Sequence, residues 1–460
     1  MPEQTGDNRP RSAWLAPAIV VALYLLVALP FILSGHEGGR GAWDSVQYHE
    51  PAIRQFAKEL PSPDVSDYLS ATTPGYHLIL ANVARWIDDS TMALQLAGAV
   101  FTVILLALLA WLADRDAGWG MGALLCLPMI ASMYVLFPGI WLLPDNSAWL
   151  CVLGIIALAL CRPPTDGSLL TAGLVLVALV LFRQIHIWAA CVIWAHAWIN
   201  APCAEGVFDW HRVKRAFVGV LVTLPAFLVL ALFAMLWGGL SPPTFQGKVQ
   251  GVNLATPAFM LMEFAILSIP LIAFVLPRAR AMDRRVWALA GGAFVLGLVI
   301  ALVPETTWST SAGRYSGWWN IIRSAPVVGG RTSVVVLALA PIGAALLTIW
   351  FACTPARTRW VLLAALAGFA AAQTASFNVW QRYHEPFLLM FLAIMASAIL
   401  SSESPRPGGL VRLARVGGVL ALTGLLALLT ARSLIVGPEV EPEGGRADTA
   451  RGEPTPDPGA

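Results

Sequence analysis

Residues 13–34 read AWLAPAIVVALYLLVALPFILS, and residues 43–77 read WDSVQYHEPAIRQFAKELPSPDVSDYLSATTPGYH. The first stretch has the roughly 20 apolar residues that a helix needs to cross a bilayer. No small-residue cleavage pattern follows it, so it reads as a retained span rather than a removable leader. The second stretch is the longest polar interruption in the chain. It places Asp44 close behind the span, where a carboxylate is costly unless it is used.

Working outward, the composition agrees with a membrane protein. The 460 residues are 58% hydrophobic and 12% charged, about half the charged share of a soluble domain. Further apolar runs lie near 91–113, 119–137, 141–161, 168–182, 184–200, 216–238, 257–277, 286–304, 333–353, 360–377, 386–400 and 412–433. They predict an all-α polytopic membrane protein of about 13 transmembrane helices. Residues 13–435 then form one domain, after a cytoplasmic segment at 1–12. The tail at 436–460 is rich in Pro, Gly and acidic residues, a composition that favours disorder. The net charge of +2 gives no sign of a nucleic-acid partner. Only Lys58, Lys214 and Lys248 are lysines among 29 basic residues, a bias that fits a GC-rich bacterial genome. The six cysteines have neither C-x-x-C nor metal-ligand spacing and read as buried small side chains.

The positive-inside rule orients the chain. Four connections are basic: 210–215 (WHRVKR), 277–285 (PRARAMDRR), 354–359 (TPARTR) and 404–415. With thirteen spans and a cytoplasmic N-terminus, all four fall in the cytoplasm, together with 114–118 and 162–167. The opposite face collects the 35–90 loop, LLPDNS (142–147), Arg183–Gln184, the 239–256 loop, the 305–332 loop and QRYHE (381–385). These carry the residues that build sites. The expected location is a bacterial plasma membrane with the site on the extracytoplasmic face.

Within the first loop, Ile53, Phe56, Ala57 and Leu60 recur at i, i+3, i+4 and i+7, which predicts a helix from Pro51 to Leu60 lying on the membrane surface. TTPG at 72–75 breaks the chain before a second apolar helix, Tyr76 to Ile87. A carboxylate held between two interfacial helices sits at headgroup level, where the phosphate of a lipid-linked sugar would also sit.

Sugar transfer to a hydroxyl needs a base for the acceptor's proton and positive groups for the departing phosphate. Asp44 is the first candidate for the base, with His49 and Glu50 nearby. Glu50 precedes Pro51 and also suits the start of a helix through the dipole. Asp64 and Asp67, in a Pro-rich turn, read as turn formers. Lys248, Arg382, His384 and Arg183 are candidates for the phosphate, against the plainer reading of interfacial snorkelling. Arg382 and His384 share one short turn. Asp145, after Pro144, either caps a helix or lines the site. Arg314 and Arg323 lie in a loop with Trp308, Tyr315, Trp318 and Trp319, which reads as an aromatic belt.

At these residues the chain resembles the GT-C superfamily of polyprenyl-phosphate-sugar-dependent glycosyltransferases. More narrowly, it resembles the dolichyl-phosphate-glucose α-1,2-glucosyltransferases. That family has an acidic pair, a histidine and a proline in its first loop, and Asp44, His49 and Pro51 stand in that role. Asp44 lies one residue farther from the histidine than the family's acidic pair does. A Thr-Thr-Pro-Gly turn follows, matched by Thr72, Thr73, Pro74 and Gly75. A later Phe-Arg-Gln with an aliphatic and Trp is matched by Phe182, Arg183, Gln184, Ile187 and Trp188. FQGKVQGVNL (245–254) is similar to its Gly-rich loop. The likeness threads roughly the first 260 residues in order.

It implies a GT-C-like fold and an inverting transfer of a hexose from a polyprenyl-phosphate donor to a glycan acceptor, with no divalent metal or other cofactor required. Asp44 would be the base. His49, Thr72, Thr73, Arg183, Gln184, Lys248, Arg382 and His384 would surround the donor, with Glu50, Asp145, Asn253 and Tyr383 lining the site. A secondary transporter or flippase for a lipid-linked substrate is the alternative. The spans carry few central charges and no repeat, which weighs against it. A non-catalytic envelope-assembly partner is a third reading.

Overall fold

The structure, a computed structural model, describes residues 14–38, 40–201, 209–246, 251–403 and 408–436. The expected N-terminal segment, Lys248 and all but the start of the tail lie outside these. In chain order the helices are α1 (Leu15–Ser34), α2 (Arg40–Asp44), α3 (Glu50–Glu59), α4 (Gly75–Trp86), α5 (Thr91–Ala117), α6 (Trp119–Ala131), α7 (Met133–Ile140), α8 (Asp145–Cys161), α9 (Asp166–Phe182) and α10 (Ala190–Ile199). They continue with α11 (Trp210–Trp237), α12 (Thr256–Ser268), α13 (Leu276–Ala279), α14 (Arg284–Leu302), α15 (Trp319–Arg323), α16 (Val334–Cys353), α17 (Ala356–Thr374), α18 (Gln381–Ser401) and α19 (Gly409–Val436). One antiparallel pair, β1 (Val327–Val328) with β2 (Thr332–Ser333), interrupts the all-α pattern.

Every apolar run is helical, but the runs are not thirteen uniform spans. Among the described residues, seven helices (α1, α5, α11, α14, α16, α18 and α19) are long and apolar enough to cross a membrane, and α6 with α7 makes an eighth if a 75° bend is allowed. The bend falls at Ser132, whose hydroxyl caps α7 by accepting from Tyr134 N at 3.2 Å. The run at 257–277 breaks after Ser268, where Pro270 removes a backbone donor and disfavours helix in the residue before it.

Helix α18 is the axis: 89% of its apolar window is buried. At the perimeter α11 exposes Leu228, Leu232 and Met235, α14 exposes Leu289, Val295 and Leu296, and α19 exposes Leu420 and Leu428. These apolar flanks suit lipid, because every backbone polar group inside the helices is already satisfied. Close approach depends on glycine at the α12–α16 contact. A Cβ on Gly343 would lie 1.8 Å from the Leu261 carbonyl oxygen. Gly343→Ala is therefore expected to separate the two helices at a cost of about 1–3 kcal/mol, seen as a lower unfolding midpoint in detergent.

Hydrogen bonds tie the two faces inferred from sequence into two separate networks. At the basic face Arg278 donates to the carbonyl oxygens of Cys353 and Ile399, and Arg357 to those of Ala159 and Arg162. There Arg415 forks onto Glu403 at 2.8 Å through both terminal nitrogens. At the opposite face Leu142 N reaches Ser45 Oγ, Gln184 reaches Leu240 O, and Thr244 reaches Asp67. Asn253 there reaches Phe377 O, and Trp319 reaches Val379 O. The six connections expected to form a site thus gather at one end of the bundle.

The first loop folds as two short helices, α3 and α4. The stripe on α3 covers protein rather than facing outward as a membrane-surface helix would. Ile53 and Phe56 are fully buried, and Phe56 packs with Tyr68, Ala81 and Trp237, edged by Ala57 and Leu60.

Candidate functional site

Asp44 ends α2 and begins a π-helical turn, Ser45–His49, closed by Glu50 N bonding back five residues to Ser45 O. Such turns are rare and concentrate at functional sites. The wider turn absorbs one residue, so the five-residue step from Asp44 to His49 spans what four residues span in an α-helix. The turn is pinned by Ser45, whose buried hydroxyl accepts from Leu142 N at 3.0 Å.

Three further elements bring charge to Asp44. Asp145 is the first residue of α8, and it does not cap that helix. Its carboxylate instead receives two arginines. Arg382, the second residue of α18, donates to it through Nε at 3.2 Å and Nη2 at 2.7 Å. Arg183, in the extended link after α9, donates through Nη1. The remaining arm of Arg382, Nη1, bonds Asp44 Oδ2. Two carboxylates and two guanidiniums thus form one neutral cluster from four separate segments. A cation at the start of α18 opposes the helix dipole, so Arg382 is placed there against the local preference. Exposure grades across the cluster: the side chain of Asp145 is 1% exposed, Arg183 12%, Arg382 18% and Asp44 30%. Asp44 is the member nearest water. Tyr383 closes the other side, with the Arg183 guanidinium 5.3 Å from its ring centre.

The two motifs that carry the family resemblance dock on each other. Thr73 Oγ1 donates to Val180 O at 2.6 Å, and Thr73 N donates to Gln184 Oε1 at 3.1 Å. Gln184 Nε2 donates to Ala71 O and Leu240 O, both at 2.8 Å. Glycine at 75 is required by this contact, because a Cβ there would lie 2.6 Å from Leu181 O. Thr73 and Gln184 therefore fix the chain on either side of Arg183 and spend their polar groups doing so. Gln184→Ala removes all three of these bonds and is expected to cost about 1–3 kcal/mol, seen as a lower unfolding midpoint in detergent.

Several expected donor contacts lie elsewhere. Thr72 Oγ1 bonds Ser70 Oγ at 3.0 Å. His49 Nδ1 is paired with His77 Nε2 at 2.9 Å, both rings buried and stacked. Glu50 takes Arg54 and Thr91 Oγ1, bracing α3 to the start of α5. Asn253 gives its amide to Ala312 O and Phe377 O, both at 2.7 Å. His384 is fully buried, 3.8 Å from Glu263 and flanked by Phe259 and Phe369. The expected Arg382–His384 pair fails for a geometric reason. Residues 381–385 are the first turn of α18, and positions i and i+2 point about 200° apart around a helix. Lys248 lies outside the described residues. In the aromatic loop, Arg314 pairs with Glu305 and Arg323 stacks on Trp308, so both arginines serve the loop itself.

Two neighbours were not found by sequence reasoning. Tyr48 packs edge-on between Trp43 and Phe245, at 5.2 and 5.3 Å, and burial and then the Asp44 charge push its phenol up. The signal was an aromatic residue one turn from Asp44. His77 was visible only as the end of the TTPGYH segment. Burial, then the Arg382 charge, lowers His49 to about 3, and burial with the neighbouring His49 lowers His77 well below its usual value. A histidine depressed on folding binds fewer protons folded than unfolded, so stability is full above about pH 6.5 and falls as pH drops toward 3. The unfolding midpoint is expected to drop over that window, and less steeply in His77→Phe.

Fold and site together define a helical integral membrane protein with a neutral Asp-Arg-Asp-Arg cluster at one face. No protein-family model matches the chain, and no curated protein does. Among solved structures it is similar to ArnT from Cupriavidus metallidurans in the apo state, at 14% identity and a TM-score of 0.37 over 90% of this chain and 77% of that one. It is also similar to ArnT from the same organism bound to undecaprenyl phosphate, at 15% identity and a TM-score of 0.40 over 93% and 78%.

Proposed function

We propose that the protein is an inverting glycosyltransferase of the membrane, moving a hexose such as glucose from a polyprenyl-phosphate donor to a lipid-linked glycan or cell-envelope polysaccharide on the extracytoplasmic side. The observation that carries this reading is the meeting of Asp44 with Arg382, Arg183 and Asp145. A carboxylate at the water-facing edge of a double-arginine site is what transfer from a phosphate leaving group requires. The acceptor oxygen attacks the anomeric carbon and its proton passes to Asp44. The bond from that carbon to the phosphate oxygen breaks with its electron pair, and the polyprenyl phosphate leaves against Arg382 and Arg183. Their charge does the work that a divalent metal does in other transferases, so activity is expected to survive EDTA.

The test is transfer or donor hydrolysis by the purified protein in lipid, with synthetic polyprenyl-phosphate hexoses, in the presence and absence of EDTA. Turnover of any such donor supports the reading. Absence of turnover, with labelled lipid-linked sugar instead crossing the membrane, would move the assignment to a flippase.

A further inference from the structure

The candidate base is clamped by the group assigned to the leaving phosphate. Arg382 commits Nε and Nη2 to the buried Asp145 and reaches Asp44 with Nη1 alone. The Asp44 oxygen that faces Arg382 is already occupied by a guanidinium N–H and is not open to an acceptor hydroxyl. The two contacts differ in kind. The Asp145 pairing is bidentate and its carboxylate is 1% exposed, while the Asp44 pairing is single and its carboxylate is 30% exposed. Charge points the same way. Without Asp44 the cluster holds two guanidiniums against one carboxylate, an anion site with one unit of uncompensated positive charge. Arg183 adds to this, since its Nε is buried with no hydrogen-bond partner among the described residues, and such a donor gains from an acceptor brought close.

We propose that Asp44 occupies the anion's place in the empty site, and that a lipid phosphate displaces it from Nη1 of Arg382. Phosphate binding then frees Asp44 to act as a base only when a donor is present. For a phosphodiester donor the exchange is isoelectric, one singly charged anion entering as one carboxylate turns away, while Asp145 keeps both arginines oriented. This rests on the transferase reading for its consequence but not for the exchange itself.

The experiment is equilibrium binding of farnesyl phosphate to the full chain in nanodiscs, followed by intrinsic tryptophan fluorescence, with farnesol and inorganic phosphate as parallel arms. Wild type is compared with Asp44→Asn and Asp44→Ser, two ways of removing the competing charge, and with Arg382→Gln. Removing the occupant is expected to tighten farnesyl phosphate roughly tenfold in both Asp44 variants, to leave farnesol unchanged, and to be lost in Arg382→Gln. Equal tightening toward inorganic phosphate would support the exchange and make a free anion the ligand rather than a lipid headgroup. Unchanged or weaker binding of both phosphates to the Asp44 variants overturns the inference. Wild-type turnover without tightening leaves the transferase standing and the exchange refuted. Tightening without turnover of any donor does the reverse.

Discussion

Asp44→Asn is expected to lower sugar transfer by about a thousandfold, within the range that removal of a general base costs, while the protein still folds and inserts. Asn keeps the shape and loses the negative charge and the proton affinity. Asp44 is the most exposed member of the cluster, and its single bond to Arg382 is the smaller of that residue's two commitments, so the stability cost should stay near 1 kcal/mol or below. Asp44→Glu is the informative companion. It restores a carboxylate but moves it by about one methylene, and a displacement of about 1 Å can itself cost two decades. Partial recovery is therefore the expected result. An Asp44→Asn protein that folds normally and retains full transfer would remove Asp44 from the mechanism.

The second large effect is on stability rather than rate. Asp145 is 1% exposed and is the common partner of Arg183 and Arg382. Asp145→Asn leaves two part-buried cations with only Asp44 to balance them, and removing the buried partner of such a pair costs up to about 3–5 kcal/mol. A loss of that size should appear as a large drop in the unfolding midpoint or as failure to accumulate in the membrane. The double variant Asp145→Asn/Arg183→Gln restores neutrality and should recover a good part of the loss. If the double variant is as unstable as the single one, the damage comes from packing at the start of α8 rather than from charge.

The helical membrane architecture could be read from the sequence because apolar runs of that length leave the backbone few ways to satisfy itself in lipid. The division into two faces was legible for a related reason, since basic connections mark one side and the hydrogen-bond networks follow that division. Span integrity was harder to read. Hydrophobicity is continuous through Ser132 and near Pro270, and the 75° bend depends on a cap and a packing partner rather than on polarity. At the site, polarity located the right segments but not the role of each side chain. Thr73 and Gln184 bind the backbone because their loops must be sealed, and a sequence does not distinguish a polar group that faces a substrate from one that closes a turn. His384 was misplaced because α18 begins at Gln381, before the apolar run starts, so a presumed turn was already helix. Asp145 was left between capping and site lining until α9 and α18 brought arginines to it.

The π-helical turn at Ser45–His49 also sets where the carboxylate of Asp44 can reach. Each residue added to or removed from a helix rotates what precedes it by about 100°. Deleting one residue from this turn would therefore swing Asp44 around the axis and carry it off Arg382.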